Sequence, residues 1–203
     1  MNYHWTMDIH IEDSADLDAD IEIGSGTKVW HLAQIRSGAE IGHNCIIGRG
    51  AYIGPEVVIG DNVKIQNYAL IYDPAKIAEG AFIGPGVVLT NDTYPRSVSP
   101  DGKSKSSEEW DSQGVIIGKG ASIGARSTIL AGVTIGNWAL IVAGSVVLQD
   151  IPNHGLYAGN PARQIGWVGR LGKQLTKESQ YWTCPDTSEK YEETPDGLER
   201  IKS

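Results

Sequence analysis

Amide, imidazole and carboxylate side chains recur at a regular spacing in this chain, where they could bind or orient a polar ligand. His31, Asn67, Asp73 and Asn91 each stand two residues after a branched aliphatic residue. Amides donate and accept hydrogen bonds, an imidazole can move a proton near neutral pH, and a carboxylate can accept hydrogen bonds from an amine. Other large or polar side chains directly follow the same aliphatic positions: Trp30, Arg36, Gln66, Tyr72 and Thr90.

A six-residue repeat determines where these side chains must lie. Every sixth residue from Leu17 to Leu89, and again from Ile117 to Val147, is Leu, Ile or Val. The residue four positions later is small or β-branched almost throughout, and glycine often follows the aliphatic residue directly. A period of six is a multiple of the two-residue period of a strand and fits helical turns poorly. The sequence therefore predicts short strands with Gly or Asn at positive φ in the corners, stacked into a parallel β-solenoid.

Composition and charge exclude several classes of protein. The chain has one Phe beside six Trp and eight Tyr, so its interior must be mostly aliphatic. The formal net charge of −8 disfavours nucleic acid and anionic membranes as partners. No apolar run is long enough for a membrane span, and the N-terminus lacks the pattern of a signal peptide, so we expect a cytoplasmic protein. Cys45 and Cys184 are too few for a disulfide framework or a zinc site.

The repeat resembles that of the hexapeptide-repeat acyltransferases over roughly residues 8–176. This resemblance implies a left-handed parallel β-helix with three hexads, or 18 residues, in each coil. The predicted fold class is therefore all-β, with a left-handed parallel β-helix at 8–163 that a loop excursion at 92–115 interrupts. We expect a C-terminal tail at 164–203 with a short helix within 165–176 and a small hairpin after it.

With 18 residues per coil, the departures from glycine gather on two adjacent faces of the solenoid. Asp73 and Asn91 are expected one coil apart, about 4.8 Å. Asn67 lies one face over on the coil of Asp73, and His31 lies two coils from Asn67. Local departures from a repeat point to a functional site, so we predict that these side chains line one groove. Solvated residues on the solenoid exterior are the alternative.

The repeat stops between Leu89 and Ile117, in a segment rich in Ser, Gly, Pro and charged residues. A loop of this length within a compact domain is usually either functional or disordered. Because it begins directly after Asn91, we expect a cover over the groove or an arm that reaches a neighbouring subunit.

Four stretches carry a closer resemblance: VWHLAQIRSGAEIG, VKIQNYALIYD, GPGVVLTNDTYPR and AGNPARQIGW. They resemble the sugar-nucleotide 3-N-acetyltransferases, and most of all the UDP-2-acetamido-3-amino-2,3-dideoxyglucuronate N-acetyltransferases of lipopolysaccharide synthesis. This implies transfer of acetyl from acetyl-CoA to the 3-amino group of a nucleotide-linked amino sugar, without an acyl-enzyme. The alternatives are transfer to a dTDP-3-amino-3,6-dideoxyhexose and a non-catalytic solenoid scaffold.

Carried onto this sequence, the resemblance places the catalytic-pocket asparagine at Asn91. Its amide would accept a hydrogen bond from the attacking amine and orient the nitrogen lone pair, while a backbone N–H group stabilises the oxyanion. His31 is expected to contact the substrate, with a general-base role as the alternative, and Asp73 is an alternative contact for the amine. The candidate substrate-binding residues are His31, Arg36, Gln66, Asn67, Asp73, Tyr94 and Arg96.

Acetyl-CoA is expected along a groove between neighbouring solenoids toward the C-terminal coils. Small residues permit close approach to the pantetheine, and the NPAR stretch would close over the nucleotide end. Three basic residues are expected to form a cluster for the 3′-phosphate, with a solvated surface patch as the alternative. The candidate cofactor-binding residues are Ala125, Ala143, Gly144, Asn160, Pro161, Ala162, Arg163, Arg170 and Lys173.

The resemblance also implies a homotrimer with active sites between subunits, and no metal. A γ-type carbonic anhydrase shares this kind of solenoid but requires three converging histidines. Here only His31 and His43 lie on the repeat, and they are expected on different faces. His4 and His10 precede the repeat, and His154 follows it.

Overall fold

The structure is a computed structural model that describes residues 9–106 and 110–201. Short strands stack into three parallel sheets, which we call faces A, B and C. Up to the strand at Leu70–Ile71, each strand pairs in register with the strand 18 residues later, as His10 does with Lys28 and Asp16 with Gln34. The predicted β-solenoid is confirmed. Across the excursion the pairing resumes with Lys76 opposite Ile116.

The strands of each face are as follows. Face A contains β1 (His10–Ile11), β4 (Lys28–Val29), β7 (Ile46–Ile47), β10 (Lys64–Ile65), β13 (Phe82–Ile83), β16 (Ser122–Ile123), β19 (Leu140–Ile141), β21 (Gly155–Gly159) and β22 (Ala162–Trp167). Face B contains β2 (Asp16–Leu17), β5 (Gln34–Ile35), β8 (Tyr52–Ile53), β11 (Leu70–Ile71), β14 (Val88–Leu89), β17 (Thr128–Ile129) and β20 (Val146–Val147). Face C contains β3 (Glu22–Ile23), β6 (Glu40–Ile41), β9 (Val58–Ile59), β12 (Lys76–Ile77), β15 (Ile116–Ile117) and β18 (Thr134–Ile135).

Three edges join these faces, and the corner that follows each strand defines them. Edge AB follows the strands of face A, edge BC follows those of face B, and edge CA follows those of face C. The predicted excursion lies on edge BC, between the end of β14 at Leu89 and the start of β15 at Ile116. Side chains on one edge therefore form a column with one residue position per coil.

The core is a continuous stack of aliphatic and small side chains inside the three faces. The second residue of nearly every two-residue strand is buried, and so is the small residue of each following corner, such as Ala33, Cys45 or Ala51. Small residues fit at these corners because three sheets converge there and leave little volume. The six-residue period of the sequence is thus the period at which side chains pack into the core.

Positive φ occurs at the corners, as predicted, three residues after the buried aliphatic residue. Gly26 has φ of 75° and Asn44 has φ of 56°, as in the second central residue of a type II turn. The glycines that directly follow the aliphatic residue serve a different purpose. A Cβ atom added to Gly42 would lie 2.7 Å from the carbonyl carbon of Gly60 in the next coil. These glycines permit adjacent coils to approach each other.

The predicted helix within 165–176 is wrong. Residues 162–167 form β22, which pairs antiparallel with β21 and extends face A, and Val168 makes an isolated bridge to Gln174. The backbone groups of this segment are satisfied by the sheet, and Gly172 has φ of 77°, outside the helical range. The predicted domain boundary between residues 163 and 164 falls inside β22.

The predicted hairpin tail is confirmed and is larger than expected. It is a four-stranded antiparallel sheet of β23 (Thr176–Glu178), β24 (Tyr181–Thr183), β25 (Lys190–Thr194) and β26 (Gly197–Arg200). Its small core contains Leu175, Cys184, Tyr191 and Leu198. Residues 202–203 of the predicted tail lie outside the described residues. Among the residues that the structure describes, no helix is long and apolar enough to cross a membrane.

His154 joins the solenoid to this tail sheet. It is 5% exposed, its Nδ1 lies 2.8 Å from the carbonyl oxygen of Val168, and its ring packs edge-on against Tyr191. Burial lowers the pKa of His154; the Val168 carbonyl and Glu189 act in the opposite direction, and the charge of Arg170 adds to the lowering. The neutral imidazole is therefore the form that the folded chain favours.

Replacing Gly42 by Ala should destabilise the chain by more than ~1 kcal/mol, because the new methyl group would overlap the backbone of Gly60. Gly144→Ala is the matched control, because no atom lies within 4 Å of an added Cβ there and only its φ of 75° is strained. Urea unfolding followed by circular dichroism measures both. Equal stability of Gly42→Ala and the wild type would contradict the packing role.

Acid should destabilise the junction at His154. Because the pKa of His154 is lower in the folded chain, the unfolded chain takes up a proton first as the pH falls through about 6.5. The urea midpoint should fall between about pH 7.5 and about pH 5, and the fall should be smaller for His154→Asn. Asparagine tolerates the φ of 62° at this position. An identical pH dependence in the variant would show that His154 does not carry the effect.

Candidate active site

The polar residues that interrupt the repeat occupy two different edges. His31, Gln66 and Asn67 lie on edge AB, and Asp73 and Asn91 lie on edge BC, with the whole width of face B between them. A strand rises about 3.3 Å per residue, so four to five residues of chain separate these edges by more than 10 Å. Within one chain these residues therefore lie on two separate edges, and their sharing of one groove stays a prediction; Asp73 and Asn91 are confirmed as neighbours.

Asn91 is held firmly on edge BC. It is 6% exposed, and its Nδ2 donates to the backbone carbonyl of Asp73 at 2.7 Å. The Ser112 hydroxyl donates to the same carbonyl at 3.1 Å, and the backbone N–H of Gln113 donates to the Asn91 carbonyl at 2.9 Å. The excursion therefore returns to the residue where it begins. These bonds orient the Asn91 amide, and its Oδ1 accepts no hydrogen bond from any described residue.

Arg36 lies on the same edge, nearer the N-terminus, and is engaged within the chain. Its guanidinium donates to Asp16 and Asp18 at 3.0 and 3.1 Å and lies 5.9 Å from the ring centroid of Tyr52. Burial acts to lower the pKa of Arg36, but the hydrogen bonds that it donates to the two carboxylates, together with their negative charge, outweigh burial and raise the pKa. A substrate anion at Arg36 must compete with two carboxylates of the chain. Its predicted role stays a prediction.

Edge AB carries a groove of about 320 Å³. Its residues include His31, Gln66 and Asn67, together with Arg49, which the sequence reasoning missed because Arg49 follows a glycine and its hexad therefore looks unbroken. Arg49 occupies the same position of its hexad as His31 and Asn67, and this was the available signal. The lining residues are Trp30, His31, Ile46, Gly48, Arg49, Gln66 and Asn67.

Hydrogen bonds within the chain already use part of this groove. The Asn67 Oδ1 accepts from the backbone N–H of Arg49 at 2.9 Å, so its NH₂ group is the part left for a ligand. The His31 Nδ1 lies 2.9 Å from the Ser14 hydroxyl, and its Nε2 lies 3.4 Å from a carboxylate oxygen of Glu12. His31 is thus oriented by Ser14 and Glu12, neither of which the sequence reasoning had singled out.

The predicted cofactor residues Ala125, Ala143 and Gly144 continue edge AB toward the C-terminus. Gly144 N–H donates to the Ala125 carbonyl at 2.8 Å, so the two lie on successive coils. Asn160 and Pro161 of the NPAR stretch form the turn between β21 and β22, and Gly159 N–H donates to the Ser145 hydroxyl at 3.2 Å. The structure therefore brings Asn160, Pro161 and Ala162 to the same edge, beyond Ala143 and Gly144.

The predicted basic cluster is not a single cluster. Arg163 lies at the edge AB end of β22, where its guanidinium donates to the Ala162 carbonyl. Arg170 follows the other end of that strand, and its guanidinium stacks on Trp138 of edge CA at 4.8 Å. Lys173 pairs with Asp186 at 3.5 Å. The length of β22 thus separates Arg163 from the other two residues.

The excursion forms a pocket of its own of about 290 Å³. Arg96 and Lys105 provide positive charge in this pocket, and Trp110 provides an aromatic surface. Tyr94 is largely exposed, and its backbone N–H donates to the Asp92 carboxylate at 2.9 Å. Arg96 thus lines a pocket, while the Tyr94 side chain is 74% exposed.

Of the other described histidines, His43 lies away from the candidate site, whereas the His10 ring lies 5.9 Å from the ring of Trp30, which lines the edge AB groove. His43 lies on edge CA with its Nδ1 3.0 Å from the Ser25 hydroxyl, and His10 pairs with Glu12 near the N-terminus. His4 lies outside the described residues. Within residues 9–106 and 110–201, no three His, Cys, Asp or Glu side chains form a group that could hold a metal ion.

Several known proteins are similar to parts of this chain. It is 53% identical over 60 residues to a dTDP-3-amino-3,6-dideoxy-alpha-D-galactopyranose 3-N-acetyltransferase of Aneurinibacillus thermoaerophilus, which covers 30% of this chain and 31% of the relative. It is 35% identical over 116 residues to serine acetyltransferase 4 of Arabidopsis thaliana, which covers 57% of this chain and 27% of the relative. These matches thus span only a quarter to a third of the curated relatives.

A solved structure shares the fold. The acetyltransferase domain of PglB from Neisseria gonorrhoeae FA1090, in complex with acetyl coenzyme A, superposes with a TM-score of 0.52 at 20% identity, covering 80% of this chain and 60% of that chain. The family model "Bacterial transferase hexapeptide (six repeats)" matches residues 20–55, 56–91 and 114–149. Because these matches cover more than half of the residues, the chain belongs to the bacterial transferase hexapeptide-repeat family.

Proposed function

We propose that this protein is an acetyl-CoA-dependent N-acetyltransferase that acts on the 3-amino group of a nucleotide-linked amino sugar. The observation that carries the proposal is the fixed amide of Asn91, whose Nδ2 is held by the Asp73 carbonyl while Oδ1 is left to accept a hydrogen bond. The acetyltransferase relatives support acetyl-CoA as the donor. The proposed product serves surface-polysaccharide synthesis, and a cytoplasmic location stays a prediction.

The chemistry needs positioning more than a strong base. The amine nitrogen attacks the thioester carbonyl carbon, the C–N bond forms, and the resulting oxyanion is stabilised by a backbone N–H group. The C–S bond then breaks, and the proton lost by nitrogen goes to the departing CoA thiolate. Asn91 is neutral and cannot remove this proton; its Oδ1 accepts one N–H bond of the amine and directs the lone pair toward the carbonyl.

Two substrates fit this proposal. The sequence resemblance favours UDP-2-acetamido-3-amino-2,3-dideoxyglucuronate, whose uronate carboxylate requires a cation such as Arg96. The similarity to the Aneurinibacillus relative favours a dTDP-3-amino-3,6-dideoxyhexose as the second candidate. Both contain an amine at C3, so the same Asn91 contact serves either substrate.

We further propose that the active site forms between subunits of a homotrimer, with face B at the interface. The outward side chains of face B from Gln34 onward carry no charge, whereas face A presents Lys28 and Lys64 and face C presents Glu22 and Glu40. In a cyclic trimer packed through face B, edge AB of one chain meets edge BC of the next. Such packing would bring Asn91 to the groove of Asn67 and unite the two halves of the candidate site. The outward residues of face B are Gln34, Tyr52, Leu70, Val88, Thr128 and Val146.

Asn91→Ala should lower kcat about 100-fold, because the attacking amine loses its orienting acceptor, and it should leave the KM for acetyl-CoA unchanged. Thiol release from acetyl-CoA is measured with each of the two amino-sugar nucleotides in parallel. Ser112→Ala is the control, because it removes the other donor to the Asp73 carbonyl and leaves Asn91 in place. Wild-type kcat in Asn91→Ala would refute the role of Asn91. No turnover and no CoA binding by the wild type would instead favour the non-catalytic scaffold.

Leu70→Lys should convert the proposed trimer into monomers, because it places a charge in the centre of the uncharged face B. Lysine already occupies the equivalent outward position at Lys28, Lys64 and Lys76, so the solenoid itself should fold. Sedimentation equilibrium measures the mass, and Val58→Lys on the outward side of face C is the matched control. A trimer in Leu70→Lys, or monomers in Val58→Lys, would show that face B is not the interface.

A further inference from the structure

Three large apolar side chains occupy corner positions that need a left-handed backbone. Leu32, Tyr68 and Trp138 have φ of 59°, 58° and 57°. The other corners with positive φ contain glycine or a polar residue. Bulky residues adopt this conformation rarely and at a cost in conformational free energy. Residues held in strained conformations cluster at functional sites, so these corners are candidates for a binding role.

The ring of Tyr68 is fixed on one side and open on the other. It lies against the backbone of Gly50 in the preceding coil, where an added Cβ would be 2.6 Å from the ring atoms Cδ1 and Cε1. Its hydroxyl accepts a hydrogen bond from the Nε of Arg49 at 3.1 Å. Despite both contacts Tyr68 is 56% exposed. The result is a flat, oriented aromatic surface that faces outward from edge AB.

This surface adjoins the groove of about 320 Å³ described above. Tyr68 follows Asn67 directly, and Arg49 both lines the groove and holds the Tyr68 hydroxyl. Among the described residues, no carboxylate forms an ion pair with Arg49. A planar ring next to an uncompensated guanidinium is the combination that binds a nucleotide, because bases stack on aromatic faces and guanidinium groups bind phosphate oxygens.

The spacing along the solenoid agrees with such a ligand. Asn91 belongs to the coil of Gly84, and Gly50, against which the Tyr68 ring lies, is two coils nearer the N-terminus, roughly 10 Å at ~4.8 Å per coil. A hexose and a diphosphate separate a C3 amine from the nucleoside in a nucleotide sugar. In the proposed trimer, a substrate with its amine at Asn91 of one chain can therefore extend its nucleoside diphosphate toward Tyr68 and Arg49 of the adjacent chain.

We infer that Tyr68 and Arg49 bind the nucleoside diphosphate portion of the substrate, with the base stacked on the Tyr68 ring and a phosphate oxygen on the Arg49 guanidinium. This inference rests on the proposed function. It explains the strained positive φ of Tyr68 by a role of this residue in binding rather than in folding.

The test is isothermal titration of the wild type and variants with UDP, dTDP and the nucleoside uridine. Tyr68→Asn removes the ring and keeps a residue that tolerates positive φ, and it should weaken both UDP and uridine binding roughly tenfold or more. Arg49→Gln should weaken UDP binding and leave uridine binding unchanged. Tyr68→Phe should retain affinity, because the ring persists. None of these variants should change the affinity for CoA.

Trp138→Asn is the matched control, because the Trp138 ring lies over Gly120 in the same manner but on edge CA. It should bind UDP as the wild type does. Tyr68→Asn should also not lower Tm, since it relieves backbone strain. Unchanged UDP affinity in Tyr68→Asn, an altered oligomeric state, or no nucleotide binding by the wild type would each overturn the inference.

These results separate the inference from the proposed function. If nucleotide binding depends on Tyr68 but no thiol is released from acetyl-CoA, the nucleotide site is supported and the proposed acetyltransferase function is refuted. If thiol is released with an amino-sugar nucleotide and the UDP affinity of Tyr68→Asn is unchanged, the acetyltransferase function is supported and the nucleotide site at Tyr68 is refuted.

Discussion

The close stacking of one coil on the next is the constraint on which the whole structure depends. Parallel ladders hold neighbouring coils about 4.8 Å apart, and at this distance a side chain directly after a buried aliphatic residue can overlap the next coil. The glycines at Gly42, Gly48 and Gly118 satisfy this constraint, since an added Cβ at each would lie under 3 Å from backbone atoms of the following coil. The sixfold sequence pattern follows from the same geometry.

This stacking also creates the candidate site, because equivalent positions form columns along each edge. On edge CA the columns hold the coils together: Asp61 accepts from the backbone of His43, and Asn137 accepts from that of Lys119. Asn67 makes the same bond to Arg49 on edge AB, yet its neighbours on that edge also line a groove. Edges AB and BC thus carry both hydrogen bonds that join successive coils and side chains that are available to a ligand. The uncharged face B lies between the two edges.

The solenoid could be predicted from the sequence because one period determines strand, corner and core at once. The prediction of a helix in the C-terminal segment was wrong because β22 forms its hydrogen bonds with β21. No local sequence pattern reveals this pairing. Assigning residues to hexads correctly paired Asp73 with Asn91. It also placed Asn67 one face away from Asp73, but it did not take into account that the whole width of face B then separates the two side chains within one chain. The sequence analysis missed Arg49 because it follows a glycine, so that its hexad looks regular. It missed Tyr68 because this residue occupies a corner position with positive φ, where glycine or asparagine is usual.

The central claim is that edges AB and BC serve one site only when two chains meet. Mixing two variants that each impair one edge, Asn91→Ala on edge BC and Asn67→Asp on edge AB, tests it most directly. Asn67→Asp keeps the acceptor for the Arg49 N–H and removes only the NH₂ group. The account predicts that random trimers, assembled after co-expression of equal amounts of the two variants, recover thiol release at roughly a quarter of all sites, because one interface of every mixed trimer pairs the intact edge of each variant. No recovery above the separate variants would show that the two edges do not share a site.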